Sequence, residues 1–454
     1  MSKPSIPKGT RDFGPKEMVR RNWIFSTIQS VFEHYGFEPI ETPAMENLAT
    51  LTGKYGEEGD QLIFKILNNG DFLSKADAAA LAEKDSKKLS FSISKKALRY
   101  DLTVPFARFV VMNQHAIPFP FKRFQIQPVW RGDRPGKGRY QEFFQCDADV
   151  VGSNSLLYEV EFVRIFDEAL TKLNLPAFNI VMNNRKVLAG IAEVAGIEDK
   201  LTDLTVAIDK LDKIGREKVQ EELIQRGITA EQIEKLEPLF GMSGGPLEVL
   251  EQLGKHLSAS EIGTKGVEEL HYVVDYVAEL GLKNGTLVLD PTLARGLNYY
   301  TGAIFEVKVP ESPVGSICGG GRYDDLTGIF GLKNMSGVGI SFGADRIYDV
   351  LEHFKLFPEK AGVSTQLLFV NFGLKEEKFC MKLADRLRVA GIRTEVYAES
   401  AKMQKQMKYA NDKAIPFVAL IGEDEMSSNL ITFKDMTSGE QKKVTFEALV
   451  AQLS

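Results

Sequence analysis

The segment from Phe121 to Val151 constrains the fold most, because it has the pattern of a long β-hairpin. Phe124 to Trp130 and Glu142 to Val150 are rich in aromatic and β-branched residues, which favours two strands. The connection from Arg131 to Tyr140 holds three glycines and three arginines, a composition typical of an exposed turn. The sequence therefore predicts a long hairpin with a charged tip.

Hydrophobic spacing divides the rest of the chain into a core, an insertion and a tail. Apolar residues recur at helical spacing from Pro15 to Tyr35, and Gly36 ends this helix before an extended segment that reaches Pro43. Leucine, glutamate and lysine at helical spacing predict a helical insertion over residues 185–282, and strand patterns return after it. We expect an α+β chain of 454 residues in four parts: 1–184, the first part of the core; 185–282, the insertion; 283–357, the second part of the core; and 366–454, a mixed α/β domain.

The composition excludes several classes of protein. Hydrophobic residues at 44% and charged residues at 26% exclude a disordered chain. A net charge of −6 means that a nucleic-acid partner must be bound by a local basic patch. The three cysteines, Cys146, Cys318 and Cys380, are far apart, which excludes a disulfide scaffold and a CxxC zinc site. Without a signal-like amino terminus or a long apolar run, the sequence predicts a cytoplasmic protein that does not enter a membrane.

Phosphate recognition by side chains is one function that the hairpin tip permits. The chain has no GxxxxGK[ST] loop and no GxGxxG fingerprint. Guanidinium groups bind phosphates in a bidentate manner and stay charged, so the two arginines that bracket the tip, Arg131 and Arg139, could meet phosphates while a phenylalanine of the returning strand stacks on a base. A solvated basic loop explains the same residues.

Several segments resemble the signatures of class II aminoacyl-tRNA synthetases. Residues 130–144 resemble the second signature, the helix and strand ending at Pro43 the first, and residues 339–346 the third. Residues 293–302 (LARGLNYYTG) and 318–324 (CGGGRYD) are similar to the histidine-specific blocks of the histidyl-tRNA synthetase family, and residues 8–12 and 98–105 complete the match. The resemblance implies an antiparallel sheet flanked by helices, a helical insertion and a C-terminal five-stranded mixed α/β anticodon-binding-like domain.

The resemblance also implies an activity and the residues that perform it. The chain would activate histidine with ATP to histidyl-adenylate and transfer it to the terminal adenosine of tRNA(His), with Arg131 and Arg295 as catalytic residues. Histidine would be bound by ten residues: Asp101, Leu102, Thr103, Arg131, Gln145, Asp149, Arg295, Tyr299, Tyr300 and Tyr323. ATP, arriving with Mg²⁺, would be bound by Arg131, Asp133, Arg139, Phe143 and Arg346, and no tightly bound metal ion is expected.

The chemistry of histidine suits these residue types. A cationic α-ammonium group needs acceptors, which Asp101, Thr103 and Gln145 offer. Neutral imidazole has one donor and one acceptor, so Asp149 and the hydroxyl of Tyr300 would hold one ring nitrogen each, with the other two tyrosines as walls.

Ordinary structural explanations remain open for the same residues. Arg295 and Arg139 could each form a structural or surface ion pair. The alternating residues Gln145, Asp147 and Asp149 could lie on a solvated edge strand, and the tyrosines could simply pack in the core with satisfied hydroxyl groups.

The tail offers a candidate surface for RNA. Lys402, Lys405 and Lys408 recur every third residue on a predicted helix, which suits an RNA backbone and equally suits a solvated helix face. By resemblance the partner is tRNA(His) rather than DNA, and the chain forms a homodimer through the helix of the first signature.

Two other functions compete with the ligase. A synthetase paralogue could act as a regulatory, metabolite-sensing subunit without aminoacylating, and an RNA-binding or polymerase accessory subunit could use the same scaffold. The presence of Arg131, Arg295 and Arg346 together with an anticodon-like tail favours the enzyme.

Overall fold

The computed structural model describes residues 3–294, 299–324, 326–358 and 364–453. They form two compact units, one holding residues 3–11 and 24–357 and the other residues 12–23 and 358–453. Arg295 lies outside the described residues.

Fourteen elements precede the insertion: α1 (Pro15–His34), β1 (Glu38–Pro39), β2 (Met45–Asn47), α2 (Leu48–Leu51), α3 (Gly56–Gln61), β3 (Lys65–Ile66), α4 (Ala78–Ala82), α5 (Ser86–Ile93), β4 (Lys96–Leu98), α6 (Thr103–Asn113), β5 (Phe121–Trp130), β6 (Glu142–Val151), α7 (Leu157–Lys172) and β7 (Phe178–Asn184). The insertion contains α8 (Arg185–Ala195), α9 (Leu201–Ile208), α10 (Leu211–Ile214), α11 (Arg216–Gln225), α12 (Ala230–Gly241), α13 (Pro246–His256) and α14 (Glu261–Leu280). The core continues with β8 (Gly285–Leu289), β9 (Ala303–Lys308), β10 (Cys318–Asp324), β11 (Ser336–Gly343) and α15 (Ala344–His353).

An eight-stranded sheet forms the centre of the larger unit, in the order β1-β5-β6-β11-β10-β9-β7-β8. Its middle is antiparallel from β5 to β7, and a parallel pair closes each edge, β1 with β5 and β7 with β8. The predicted hairpin is confirmed: β5 pairs with β6 from Phe121↔Val151 to Trp130↔Glu142. Because β6 lies between β5 and β11, it is not the solvated edge strand that the alternation also permitted.

The first helix packs on this sheet through its apolar stripe. Ile24, Ile28, Val31 and Phe32 are fully buried, and the Phe32 ring lies 5.7 Å from that of Phe124 on β5. The helix ends as predicted, because Gly36 adopts φ +76, a conformation that favours glycine.

The predicted insertion is helical from Arg185 to Leu280. Its helices α8 and α14 approach closely because glycines face each other: a Cβ on Gly190 would overlap the backbone of Gly263. A small sheet in the order β2-β4-β3 was not predicted, since its strands are only two or three residues long.

The smaller unit contains β12 (Leu367–Phe369), α16 (Leu374–Val389), β13 (Thr394–Val396), α17 (Met403–Asp412), β14 (Phe417–Leu420), α18 (Glu423–Ser428), β15 (Ile431–Asp435), β16 (Gln441–Val444) and α19 (Phe446–Leu453). Its sheet has five strands in the order β13-β12-β14-β15-β16, parallel around β12 and antiparallel beyond β14. The predicted fold class, with its flanked sheet, helical insertion and mixed C-terminal domain, is confirmed.

Candidate active site

A cavity of about 510 Å³ opens over the middle strands of the large sheet. It is lined by residues of β6, β9, β10 and β11, by the hairpin tip and by the first turns of α6 and α15. Twelve predicted site residues line it: Asp101, Thr103, Arg131, Asp133, Arg139, Phe143, Gln145, Asp149, Tyr299, Tyr300, Tyr323 and Arg346. Leu102 is not among the lining residues, because its side chain is fully buried where α6 begins.

Arg131 stands where β5 passes into the hairpin tip. Its Nε donates to the Tyr100 carbonyl oxygen at 3.0 Å, and its guanidinium carbon lies 4.3 Å from the centroid of the Tyr100 ring and 5.3 Å from that of Phe143. Two aromatic faces therefore hold a permanent positive charge at the cavity wall. A solvated basic loop, the other explanation of the hairpin tip, applies better to Arg134 and Lys137, which are exposed and do not line the cavity.

Arg346 connects the returning side of the tip to the sheet. Its Nε donates to the Gly138 carbonyl oxygen at 2.9 Å, and its Nη1 donates to that of Ser316 at 2.7 Å. Arg139, its predicted partner in ATP binding, lines the same cavity and is exposed. All five predicted ATP residues thus line the cavity.

The amino-terminal segment contacts both the hairpin tip and α15. Arg11 lies 2.5 Å from Asp345 and its guanidinium carbon is 3.5 Å from the centroid of the Tyr140 ring. The Tyr140 hydroxyl in turn donates to Asp349 at 2.6 Å, and Asp345 accepts from the backbone N–H of Phe144. The hairpin tip is therefore tied to α15 by a charged cluster.

Buried carboxylates also line the cavity. Asp101 accepts from the hydroxyl of Tyr55 at 2.9 Å and from the backbone N–H of Val104 at 3.2 Å. Burial raises the pKa of Asp101, and the positive charge of Arg131 opposes that shift. An acceptor of this kind suits a cationic ligand.

Asp149 is paired with a fully buried arginine. Oδ2 of Asp149 lies 2.7 Å from Nη2 of Arg123, its direct neighbour across the hairpin, while Oδ1 accepts from the Tyr323 hydroxyl at 2.6 Å. Burial raises the pKa of Asp149, and the charge of Arg123 opposes the shift. On the other side of β6, Gly339 of β11 leaves room for this carboxylate, because a Cβ there would overlap it.

Gln145 and Asp147 face the cavity from the same strand. Nε2 of Gln145 donates to Oγ of Ser341 at 2.7 Å, and the Ser341 hydroxyl hydrogen-bonds to Asp147. Burial, together with the nearby charge of Asp149, raises the pKa of Asp147 to about 7, against the opposing effect of Arg123. These buried side chains are 9% and 2% exposed, so they belong to the site rather than to a solvated face.

The three tyrosines lie together as predicted. The Tyr299 ring makes edge contacts with those of Tyr300 and Tyr323, at centroid distances of 5.1 and 6.0 Å. Tyr323 is buried with its hydroxyl on Asp149, which fits core packing as well as a wall of the site. Burial raises the pKa of Tyr300, so this hydroxyl remains a donor at neutral pH.

Comparison with known proteins decides the family. The histidyl-tRNA synthetase model matches residues 9–75 and 84–347, and the anticodon binding domain model matches residues 366–454. The chain belongs to the histidyl-tRNA synthetase family. A histidine–tRNA ligase of Christiangramia forsetii is 60% identical to it over 452 residues, which cover 99% of both chains. The crystal structure of a histidyl-tRNA synthetase from a Nostoc species is 33% identical and superposes with a TM-score of 0.86, covering 100% of this chain and 99% of that one.

A more distant likeness supports the fold alone. A Bacillus halodurans protein described as an ATP phosphoribosyltransferase regulatory subunit/histidyl-tRNA synthetase is 20% identical, with a TM-score of 0.71 over 90% of this chain and 97% of that one.

Synthetases of this family use ATP with a divalent metal ion as substrate. Within the described part of the chain, no group of three or more His, Cys, Asp or Glu side chains is placed to hold a metal ion, and no helix is long and apolar enough to cross a membrane.

The three candidate lysines of the anticodon binding domain are exposed at the start of α17. Nζ of Lys405 lies 3.8 Å from a carboxylate oxygen of Glu399, and that of Lys408 lies 2.6 Å from one of Asp412. Both ion pairs are largely solvated and therefore weak, so either predicted use of this face is compatible with the structure.

Sequence reasoning missed the roles of Arg123, Asp147 and Arg11 in this synthetase fold. The hairpin contained a signal for Arg123, because pairing its two strands in the correct register places Arg123 opposite Asp149. Asp147 was visible only as one member of the alternating strand. Arg11 lies in the matched segment 8–12, but nothing local connects that segment to α15.

Proposed function

We propose that the chain is a histidine–tRNA ligase that forms histidyl-adenylate from histidine and ATP and transfers the histidyl group to the terminal adenosine of tRNA(His). The observation that carries the proposal is one cavity lined by both buried carboxylates and guanidinium groups, in a chain 60% identical over its length to a histidine–tRNA ligase. Carboxylates suit the ammonium group of histidine, and guanidinium groups suit the phosphates of ATP.

Histidine would lie along β6. Asp101, Thr103 and Gln145 would accept hydrogen bonds from the α-ammonium group, and Arg131 would bind the carboxylate. Asp149, paired with Arg123, would accept a hydrogen bond from one imidazole nitrogen.

The ring would be fixed from three sides. Tyr300, whose hydroxyl stays protonated, would donate to the other imidazole nitrogen, with Tyr299 and Tyr323 as walls. A site built on buried hydrogen-bonding groups rejects an apolar isostere, because its own polar atoms would be left without partners.

ATP would enter with Mg²⁺ as part of the substrate. Arg131 would contact the α-phosphate, Arg139 and Arg346 the terminal phosphates or the adenine, and Phe143 the face of the base, next to Asp133. The histidine carboxylate then attacks the α-phosphorus in line and pyrophosphate leaves, so negative charge develops on oxygens that fixed cations surround. By resemblance to the family, Arg295 would supply a further positive charge.

The remaining assignments complete the proposal. Residues 1–184 and 283–357 would form the adenylate site around the insertion 185–282, and residues 366–454 would bind tRNA through a face that includes Lys402, Lys405 and Lys408. We also infer a homodimer formed through α1, and a cytoplasmic location, where tRNA is charged for translation. The regulatory alternative is not favoured, because the relatives at 55–60% identity over 98–99% of their length are ligases by name.

Exchange of pyrophosphate into ATP, dependent on free histidine, tests the first step. Arg295→Ala should lower this exchange by roughly 10²-fold or more and change histidine binding much less, because the guanidinium group acts mainly on charge that develops in the transition state. Exchange within a few-fold of wild type would remove Arg295 from the catalytic residues. Loss of exchange in the wild-type chain itself would favour the regulatory alternative.

A further inference from the structure

Two buried acceptors face the cavity from β6 without a hydrogen-bond partner among the described residues. They are Oε1 of Gln145 and Oδ1 of Asp147. Asp147 is 2% exposed, so its carboxylate is largely removed from bulk water. Leaving such an acceptor unpaired costs free energy, which a ligand that donates to it would recover.

Ser341 sets the direction of both side chains. Its hydroxyl oxygen accepts from Nε2 of Gln145 at 2.7 Å, and its single proton is then available for the Asp147 carboxylate. The amide nitrogen of Gln145 is therefore turned towards Ser341, which leaves Oε1 as the acceptor. The two unpartnered oxygens are thus oriented by one hydroxyl group between them.

The charges around Asp147 favour a cation there. Arg123 faces it from β5, Ser341 from β11 and Asp149 from its own strand, while Asp101 is close enough to raise its pKa. Arg123 is already within 2.7 Å of Asp149. A cation placed between Asp101 and Asp147 would therefore meet two carboxylates that repel each other.

We propose that Asp147 is a further substrate-binding residue, which with Asp101 and Gln145 accepts the three N–H donors of the histidine α-ammonium group. This rests on the proposed function. An ammonium group offers three donors and no acceptor, so three acceptors satisfy it fully. Asp147 takes the place that the proposed function gives to the Thr103 hydroxyl, which is an uncharged acceptor and is hydrogen-bonded to Tyr299. Asp147 supplies the second of two negative charges.

Substitution by an isosteric amide tests the proposal. For wild type and Asp147→Asn, binding would be measured by calorimetry at pH 7.5 with three compounds: histidine, histidinol, which keeps the ring and the ammonium group, and imidazolepropionate, which lacks the ammonium group. Asp147→Asn should weaken histidine and histidinol roughly 10–100-fold, the range for one charge-assisted hydrogen bond, and change imidazolepropionate less than about twofold. Equal weakening of all three, or of none, would overturn the proposal.

Asp149→Asn is the matched control on the same strand. It should weaken all three compounds, because Asp149 is assigned to the ring that they share. If Asp149→Asn changes none of them, the ring assignment in the proposed function fails while the result for Asp147 stands on its own.

Two measurements guard against misfolding of the variant. An unchanged Michaelis constant for ATP in pyrophosphate exchange would show that the cavity of Asp147→Asn is intact. Should that variant not fold, Ser341→Ala removes the hydroxyl that orients both acceptors and should weaken histidine and histidinol severalfold without affecting imidazolepropionate. The opposite selectivity, a loss confined to imidazolepropionate, would place this group of residues at the ring and contradict the proposal.

Discussion

Replacing Arg123 by methionine should destabilise the large unit strongly and in a pH-dependent way. Arg123 is fully buried, its Nη2 lies 2.7 Å from Asp149, and its guanidinium carbon is 4.2 Å from the centroid of the Phe106 ring. Methionine retains much of the length and apolar contact but removes the charge. Removing one partner of a buried ion pair typically costs about 3–5 kcal/mol, because the remaining charge is left uncompensated.

The sign of the pH dependence follows from Asp149. Without the guanidinium group its pKa rises further, so the folded variant can avoid the cost by binding a proton. The loss should therefore be largest above the raised pKa and should shrink as the pH falls through it. Urea unfolding of the variant and the wild type, followed at pH 5 and pH 8, measures both values.

A double substitution separates charge from packing. In Arg123→Met/Asp149→Asn the carboxylate that pairs with Arg123 is removed as well, so much of the lost stability should return although histidine activation does not; Asp147, which Arg123 also influences, keeps the rest of the loss. If the single variant is within about 1 kcal/mol of wild type at pH 8, or if the double variant is as unstable as the single one, the pair does not carry the energy assigned to it here.

Three further predictions concern other parts of the chain. Asp147→Asn should stabilise the fold above pH 7 by up to ~4 kcal/mol and not at all near pH 4. The reason is that the pKa of the native carboxyl is raised from 3.8 to about 7, so the fold loses stability as this group ionises. Equal urea midpoints for the variant and the wild type at pH 8 would contradict this. Arg11→Ala should raise the Michaelis constant for ATP severalfold by loosening the hairpin tip, with little change in that for histidine, and parallel changes in both constants would show a general defect instead. Glutamate at Lys402, Lys405 and Lys408 together should weaken tRNA charging and flatten its salt dependence while pyrophosphate exchange is retained, whereas normal charging at physiological salt would identify an ordinary solvated face.

The hairpin and the site on it were predictable because their signals are local. Aromatic and β-branched residues from Phe124 to Trp130 and from Glu142 to Val150 indicated the strands, and the structure extends them only to Phe121 and Val151. The fifth strand of the smaller sheet, Gln441–Val444, carries no such signal, since three of its four residues are exposed and polar. An edge strand of this kind is stabilised by its partner's backbone rather than by its own side chains.

Side chains that act through tertiary neighbours were harder to find. Asp149 was predicted through resemblance, but its charge depends on Arg123, 26 positions earlier, which contacts it only once the hairpin register is known. Arg11 reaches Asp345 across 334 positions, and no spacing rule covers such a distance. Patterns along the chain therefore identify the strand that holds the candidate site residues more readily than the distant side chains that contact them.

The close approach of Gly339 to Asp149 limits how the ring contact proposed for Asp149 can be redesigned. Any side chain at residue 339 would compete for the volume that the carboxylate fills. An attempt to admit a different amino acid by changing Asp149 alone would leave an empty space beside a residue without a side chain, while changing Gly339 alone would displace the carboxylate. The two positions thus form a single unit of design, and libraries that vary substrate choice should randomise them as a pair.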